Sequence, residues 1–433
     1  DFVMEPRAVT RFKWLLVMEL GFAGIYLSLN RGLFLVFLVS IGYGLEAISI
    51  VVLLSSFLSM VISILLYKYP SFLIRRVKLK LVSFHGLERA IWLFIPYIHD
   101  LSIISTLYSL DMIFSALTSI FMSLAIYGSL EEDDIKDVTA KRSAVGGISN
   151  IIGFALGIVL LASLPANGKF IYIYSLGTIV GFLSTALISF LRLSHLEGAP
   201  LPRPTEQPEK IFSASSFFTI LLTSGNLLSI VWTPYIMNYL NGPDYLVASM
   251  NLAGTISSII ASLVWGRRSL KTLRIGLGFN TLSPILALFT PIPILHVPLF
   301  AYASFTYTAS NFLGTFLFAK YNRWFGAVKS SVLLVIIGNM AQAVAALLGT
   351  FVKEDYLMAF FVVLTTGVAS VILALLTIPE VAVLPEDTAR TYSLILYKNS
   401  ITGYRIVAES KRSLLTILSN EDFLFLLLSH ILY

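Results

Sequence analysis

Residues 65–82 read LLYKYPSFLIRRVKLKLV. Lys68, Arg75, Arg76, Lys78 and Lys80 stand together here between two apolar runs, and no acid lies between Glu46 and Glu88 to neutralise them. Such a cluster fits either a nucleic-acid patch or a membrane-topology signal. The rest of the chain separates the two. Its 433 residues are 57% hydrophobic and only 12% charged, about half the charged fraction of a soluble domain. Apolar runs of bilayer-spanning length, about 20 residues, recur along most of it. The chain reads as a polytopic membrane protein. Its net charge of +6 then reads as cytoplasmic loops touching anionic headgroups, with no nucleic-acid partner. With no cysteine, disulfides, thiolate metal sites and cysteine nucleophiles are excluded.

Twelve candidate spans follow: 14–40, 46–67, 80–98, 101–127, 143–164, 170–191, 213–239, 245–265, 272–290, 297–319, 328–351 and 355–378. Residues 14–40 are too long for a cleaved leader and lack a small-residue cleavage site. Backbone groups in lipid must be satisfied within the segment, so each span is expected to be a helix. With the N-terminus inside, 26 of the 30 cations fall on inner segments and only Lys169 and Lys353 on outer ones. That asymmetry predicts both termini in the cytoplasm and an even number of spans. The five cations at 68–80 therefore mark an inner loop.

A polar stretch, RLSHLEGAPLPRPTEQPEK at 192–210, divides six spans from six. The expected division is a bundle at 1–191, a cytoplasmic linker at 192–212, a second bundle at 213–378 and a cytoplasmic tail at 379–433. The second and eighth spans are both serine-rich and both end in an aromatic residue and a basic loop, roughly 200 residues apart, as in a parallel repeat. A fainter echo joins the segments around Asn150 and Asn339. The tail is expected to form two short strands and an amphipathic helix, with SNED at 419–422 as a helix start. FLFLLLSHILY is too short to span.

This pattern resembles the major facilitator superfamily of secondary transporters over roughly residues 11–380. Six plus six helices, a central cytoplasmic linker, inner termini and a basic loop after the second and eighth helices carry the resemblance. In PSFLIRRVKLK, Arg75 matches the arginine of the family's Asp-Arg pair, although the Asp and the glycines are missing. Gly266 survives in WGRRSLK, and the acidic stretch after span four leads to Arg142, similar to the family's acidic run and arginine. The resemblance implies that spans one, four, seven and ten line a central cavity. It also implies substrate near the midplane and two halves that rock for alternating access.

Ionisable groups inside spans cost about 2.5–3.5 kcal/mol each at a helix centre, so they are the leading site candidates. Arg31 lies four residues, about 6 Å, outward of the centre of span one. Asp111 lies three residues, about 4–5 Å, to the same side of the centre of span four. The two are expected to pair facing the cavity, to bind an anionic group or to switch when Asp111 takes a proton, or else to fix packing. Glu88 and Arg89, about 100° apart on a helix, are expected not to share one face. Glu19, with Arg75 and Arg142, is a gating candidate. In the second half the candidates are Asn226, Trp232, Tyr307 and Asn311, then Tyr235, Asn238 and Tyr302. Their aromatic and amide walls suit sugars, nucleosides or drug-like molecules, and equally suit helix packing.

No phosphate loop, nucleophile elbow or zinc-protease motif is present, and no enzyme activity, metal or cofactor is expected. The expected function is a secondary active transporter of a small solute in the cell membrane. It is expected to be monomeric; Asp111 and Glu19 can titrate and so suit proton coupling, with uniport and sodium coupling as the alternatives. The alternative is a non-transporting sensor or scaffold on the same fold.

Overall fold

The computed structural model describes residues 6–166, 168–198, 208–322 and 326–418. Apolar segments without water must close every amide internally, and the regular structure among the described residues is helical, with no strand. The first half holds α1 (Pro6–Leu29), α2 (Phe34–Ser40), α3 (Leu45–Lys68), α4 (Val77–Ile91), α5 (Leu101–Ser129), α6 (Glu132–Ser163) and α7 (Lys169–Ser189). The second half holds α8 (Pro208–Pro234), α9 (Asp244–Trp265), α10 (Leu270–Asn280), α11 (Ser283–Leu288), α12 (His296–Asn322), α13 (Gly326–Val352) and α14 (Tyr356–Thr377). A last helix, α15 (Glu386–Leu418), follows. Nine helical segments among the described residues are long and apolar enough to cross a membrane, and the chain is a multi-pass membrane protein.

Four of the expected continuous helices are interrupted. The 14–40 segment breaks at 30–33, between α1 and α2. There the Gly32 amide bonds the Leu27 carbonyl at 2.8 Å, five residues back instead of four, so the break costs few backbone bonds. Segment 80–98 ends as a helix at Ile91 and resumes as a 3-10 turn at Ile95–Tyr97, where Pro96 supplies no N–H. Segment 272–290 breaks at 281–282, and Pro284 restarts it as α11. Segment 213–239 changes to a π-helix at Tyr235–Tyr239, just after Pro234.

Contacts in the first half recur in the second. α1 packs on α6 and α7 as α8 packs on α13 and α14; α3 packs on α5 as α9 packs on α12; α4 packs on α5 as α10 packs on α12. The halves meet along α3–α13 and α6–α9, with α5 also touching α13. Close helix approach needs small residues. A Cβ on Gly153 would lie 2.6 Å from the Ser28 Cβ, and one on Gly24 would lie 2.8 Å from the Ser149 Cβ, so these glycines set the α1–α6 distance.

At the end away from the basic loops the two halves share one apolar core, in which Phe37, Leu45 and Ile48 pack with Ile236, Leu246 and Val352. Two polar clips flank it. Lys169 forms an ion pair with Asp244 of α9. Glu354 accepts the Glu46 amide at 3.2 Å, so a carboxylate from the second half sits at the N-terminus of α3.

The tail departs from expectation. Residues 386–418 form a single helix rather than two strands, and it packs on α8 and α14. The hydroxyls of Ser213 and Ser393 bond at 2.6 Å, and the rings of Phe212 and Tyr397 lie 5.8 Å apart. SNED, FLFLLLSHILY and the linker prolines Pro200, Pro202 and Pro204 lie outside the described residues.

Candidate functional site

Arg31 sits in the break between α1 and α2, where the regular i to i−4 bonding is interrupted. Asn30 beside it anchors the break to α7, donating to the Tyr174 carbonyl at 3.3 Å and to Thr178 Oγ1 at 3.1 Å. Gly32 is forced, since a Cβ there would lie 2.6 Å from the Phe154 ring. Held this way, Arg31 reaches α5. Its Nε and Nη2 donate to Asp111 Oδ2 at 3.0 and 2.8 Å, and its Nη1 donates to Ser115 Oγ at 2.5 Å. Asp111 is fully buried, and its other oxygen accepts Trp92 Nε1 at 2.9 Å.

Glu88 corrects the sequence reading. Its Oε1 lies 3.0 Å from Arg31 Nη2 and its Oε2 lies 2.7 Å from Arg89 Nη1, so the adjacent Glu88 and Arg89 share one buried cluster. The 100° turn between their Cα positions was outweighed by the length of the arginine arm. The Arg89 guanidinium also lies 4.7 Å from the Tyr26 ring centre. The cluster so holds two arginines and two carboxylates, drawn from the α1–α2 break, α4 and α5.

A second polar group lies toward the basic loops. Glu19 Oε1 meets His85 Nε2 at 3.3 Å, Glu19 Oε2 meets Arg142 at 2.9 Å, and His85 Nδ1 meets Thr185 Oγ1 at 2.7 Å. Arg142 also donates to the Leu16 carbonyl at 2.5 Å. Among the gating candidates Glu19 and Arg142 thus meet each other. Arg75 is exposed, with no ion-pair partner among the described residues.

The second-half candidates divide. Asn226, Trp232 and Tyr307 line one cavity of about 210 Å³, together with Asn280, Phe300 and Ser304. Asn311 is not part of its wall. Tyr235 packs against Tyr356 and Phe360, with ring centres 5.6 and 5.0 Å apart, and Tyr302 bonds the Phe279 carbonyl at 2.9 Å. Neither lines that cavity. Sequence reasoning missed Trp92 as a ligand of Asp111, His85 as a partner of Glu19, and Asn280 in the cavity wall. Only the rule that buried polar atoms need partners pointed to them.

No protein-family model matches the chain, and no curated protein matches it in sequence. Solved structures do match. The nucleoside transporter NupG, in a point-mutant form, superposes with a TM-score of 0.62 at 11% identity, over 84% of this chain and 98% of that one. A bacterial homologue of the iron transporter ferroportin, in an inward-facing state, superposes with a TM-score of 0.62 at 15% identity, over 85% of this chain and 97% of that one. NupG without that mutation gives 0.59 at 12% identity, over 84% and 97%. The chain has the fold of major-facilitator-type transporters.

Proposed function

We propose that the chain is a secondary transporter that moves a small solute across the cell membrane by alternating access, coupled to protons at Asp111. In this reading all twelve segments span, both termini are cytoplasmic, and residues 1–191 and 213–378 are the two moving bundles. The single observation that carries it is the double role of the 30–33 break. Arg31 in the break holds Asp111 and Glu88 of its own half, while the next residue, Gly32, accepts Asn251 of α9 through its carbonyl at 3.2 Å. A proton on Asp111 removes one of the two charges holding Arg31 and leaves it to Glu88. The backbone that shifts with Arg31 is the backbone that ties the two halves together. Charge on Asp111 and closure of the outer end are then one mechanical unit.

The clips Lys169–Asp244 and Glu354–Glu46, with the shared apolar core, close the end away from the basic loops. With those loops cytoplasmic, this is a conformation shut to the outside.

Proton flux in reconstituted vesicles, screened against pools of solutes, tests the proposal with wild type and Asp111→Asn. Solute-dependent proton movement in wild type and its loss in the variant is the expected result. Solute movement without protons, equal in both, leaves a facilitator and removes Asp111 from coupling. A chain that moves no solute is the sensor or scaffold instead.

A further inference from the structure

We infer that the cavity in the second half is the solute site and that it takes a small, uncharged, planar, hydrogen-bonding molecule such as a nitrogen heterocycle. The inference rests on the transporter reading above and names the substrate class of that protein. Four observations lead to it.

The first is an excess of unpartnered polar groups. The Asn226 carboxamide, the Ser304 hydroxyl and the Tyr307 hydroxyl have no hydrogen-bond partner among the described residues. Asn280 accepts only Thr306 Oγ1, at 3.4 Å, through its oxygen, and its amide nitrogen has no partner among them either. All four line the same cavity, so a guest there meets donors and acceptors that no protein group has taken.

The second is the absence of charge. None of the residues that line the cavity is ionisable at neutral pH, and the buried carboxylates and guanidinium Glu19, Glu88, Asp111 and Arg89 all belong to the first half. An ion would enter this cavity without a counter-charge to offset its lost hydration. The site therefore selects neutral solutes.

The third is the aromatic lining. Trp232 and Phe300 stand with ring centres 5.1 Å apart and planes tilted by 58°, and Tyr307 lies against Gly225, where a Cβ would lie 2.7 Å from its ring. Aromatic faces favour a flat guest. A carboxamide presents one donor and one acceptor side by side, which matches the edge of a heterocyclic lactam or amidine. Asn226 and Asn280 supply two such groups.

The fourth is the broken ninth segment. Asn280 and Thr281 stand at the break between α10 and α11, and Pro284 offers no N–H to return to the Asn280 carbonyl. Interrupted helices in transporters place backbone acceptors where a solute binds. A volume of about 210 Å³ is below the roughly 300–1,000 Å³ of pockets that hold drug-sized ligands, so the guest is small.

Isothermal titration calorimetry on the full chain in detergent tests this without requiring transport. The probes are uracil, adenine, glucose and orotate, which is uracil bearing a carboxylate. Saturable binding of uracil or adenine is expected, at least tenfold tighter than that of orotate or glucose. Asn226→Ala removes no protein hydrogen bond and is expected to weaken binding at least tenfold. Tyr307→Phe keeps the ring on Gly225 and is expected to weaken it about threefold, and Gly225→Ala, which drives the Tyr307 ring inward, to abolish it. The inference is overturned by orotate or glucose binding as tightly as uracil and adenine. It is equally overturned by binding indifferent to all three substitutions, or by no saturable binding of either neutral heterocycle, which leaves water as the occupant. Binding without solute flux in vesicles keeps the site and removes the transporter reading instead.

Discussion

Trp92 Nε1 donates to Asp111 Oδ1 at 2.9 Å, which leaves Oδ2 for Arg31. Each oxygen of this buried carboxylate therefore has its own donor from a different segment. An uncompensated buried charge is among the costliest defects in a fold. The arrangement satisfies Asp111 in its ionised form without spending both oxygens on one partner.

Replacement of Asp111 separates the two roles. Asp111→Ala strands part of the Arg31 charge and is expected to cost about 3–5 kcal/mol of stability. Asp111→Asn still accepts from Trp92, and Glu88 still holds Arg31, so it is expected to cost about 1–3 kcal/mol. Thermal unfolding in detergent measures both; equal losses count against the division of labour at the carboxylate.

The outer clips are expected to govern which side the protein opens. Lys169→Asp places like charge beside Asp244 and is expected to shift the population toward the outward-open form. The exchange Lys169→Asp with Asp244→Lys is expected to restore it. The absence of native cysteine makes the readout direct: a single cysteine introduced at Ser249 reports outside accessibility by its labelling rate. Equal labelling in all three backgrounds counts against a gating role.

Helix spacing between α1 and α6 is expected to tolerate nothing larger than glycine at one position. Gly153→Val puts two methyls where a Cβ already lies 2.6 Å from the Ser28 Cβ and 3.1 Å from the Ile25 backbone. Overpacking of this kind costs about 1–3 kcal/mol. A melting temperature unchanged from wild type refutes the spacing argument.

A polar contact on the α3–α13 seam is expected to matter far less. Asn339 Nδ2 donates to Ser59 Oγ at 2.8 Å. Interhelical hydrogen bonds in membranes average about 0.6 kcal/mol. Asn339→Ala is expected to shift unfolding by an amount near that figure, several-fold less than Asp111→Ala in the same assay.

The positions of the helices were legible in the sequence because water-free backbone admits little else over an apolar run. That Arg31 and Asp111 come level and meet was legible for the same reason: helical rise converts sequence distance into height. The break at 30–33 was not, since it depends on Asn30 finding α7 and Gly32 finding Phe154, contacts far apart in the chain. Glu88 was misplaced because Cα direction stood in for side-chain reach. Asn311 was grouped with Tyr307 by helical spacing, yet the cavity ends before it. The tail misled because its alternation of polar and apolar residues fits a strand as well as a surface helix, and only packing on α8 and α14 chooses.

The buried charges of the first half bear on how the chain is made. Arg31 leaves the ribosome before Glu88 and Arg89, and Asp111 follows them. Each is costly to leave alone in lipid, by about 2.5–3.5 kcal/mol on insertion scales, until its partner arrives. The early segments must therefore wait, sheltered by the insertion machinery or shallow in the bilayer, until α5 has been synthesised. Release into lipid is then a joint event of three segments, and the cluster that balances the finished protein also times its birth.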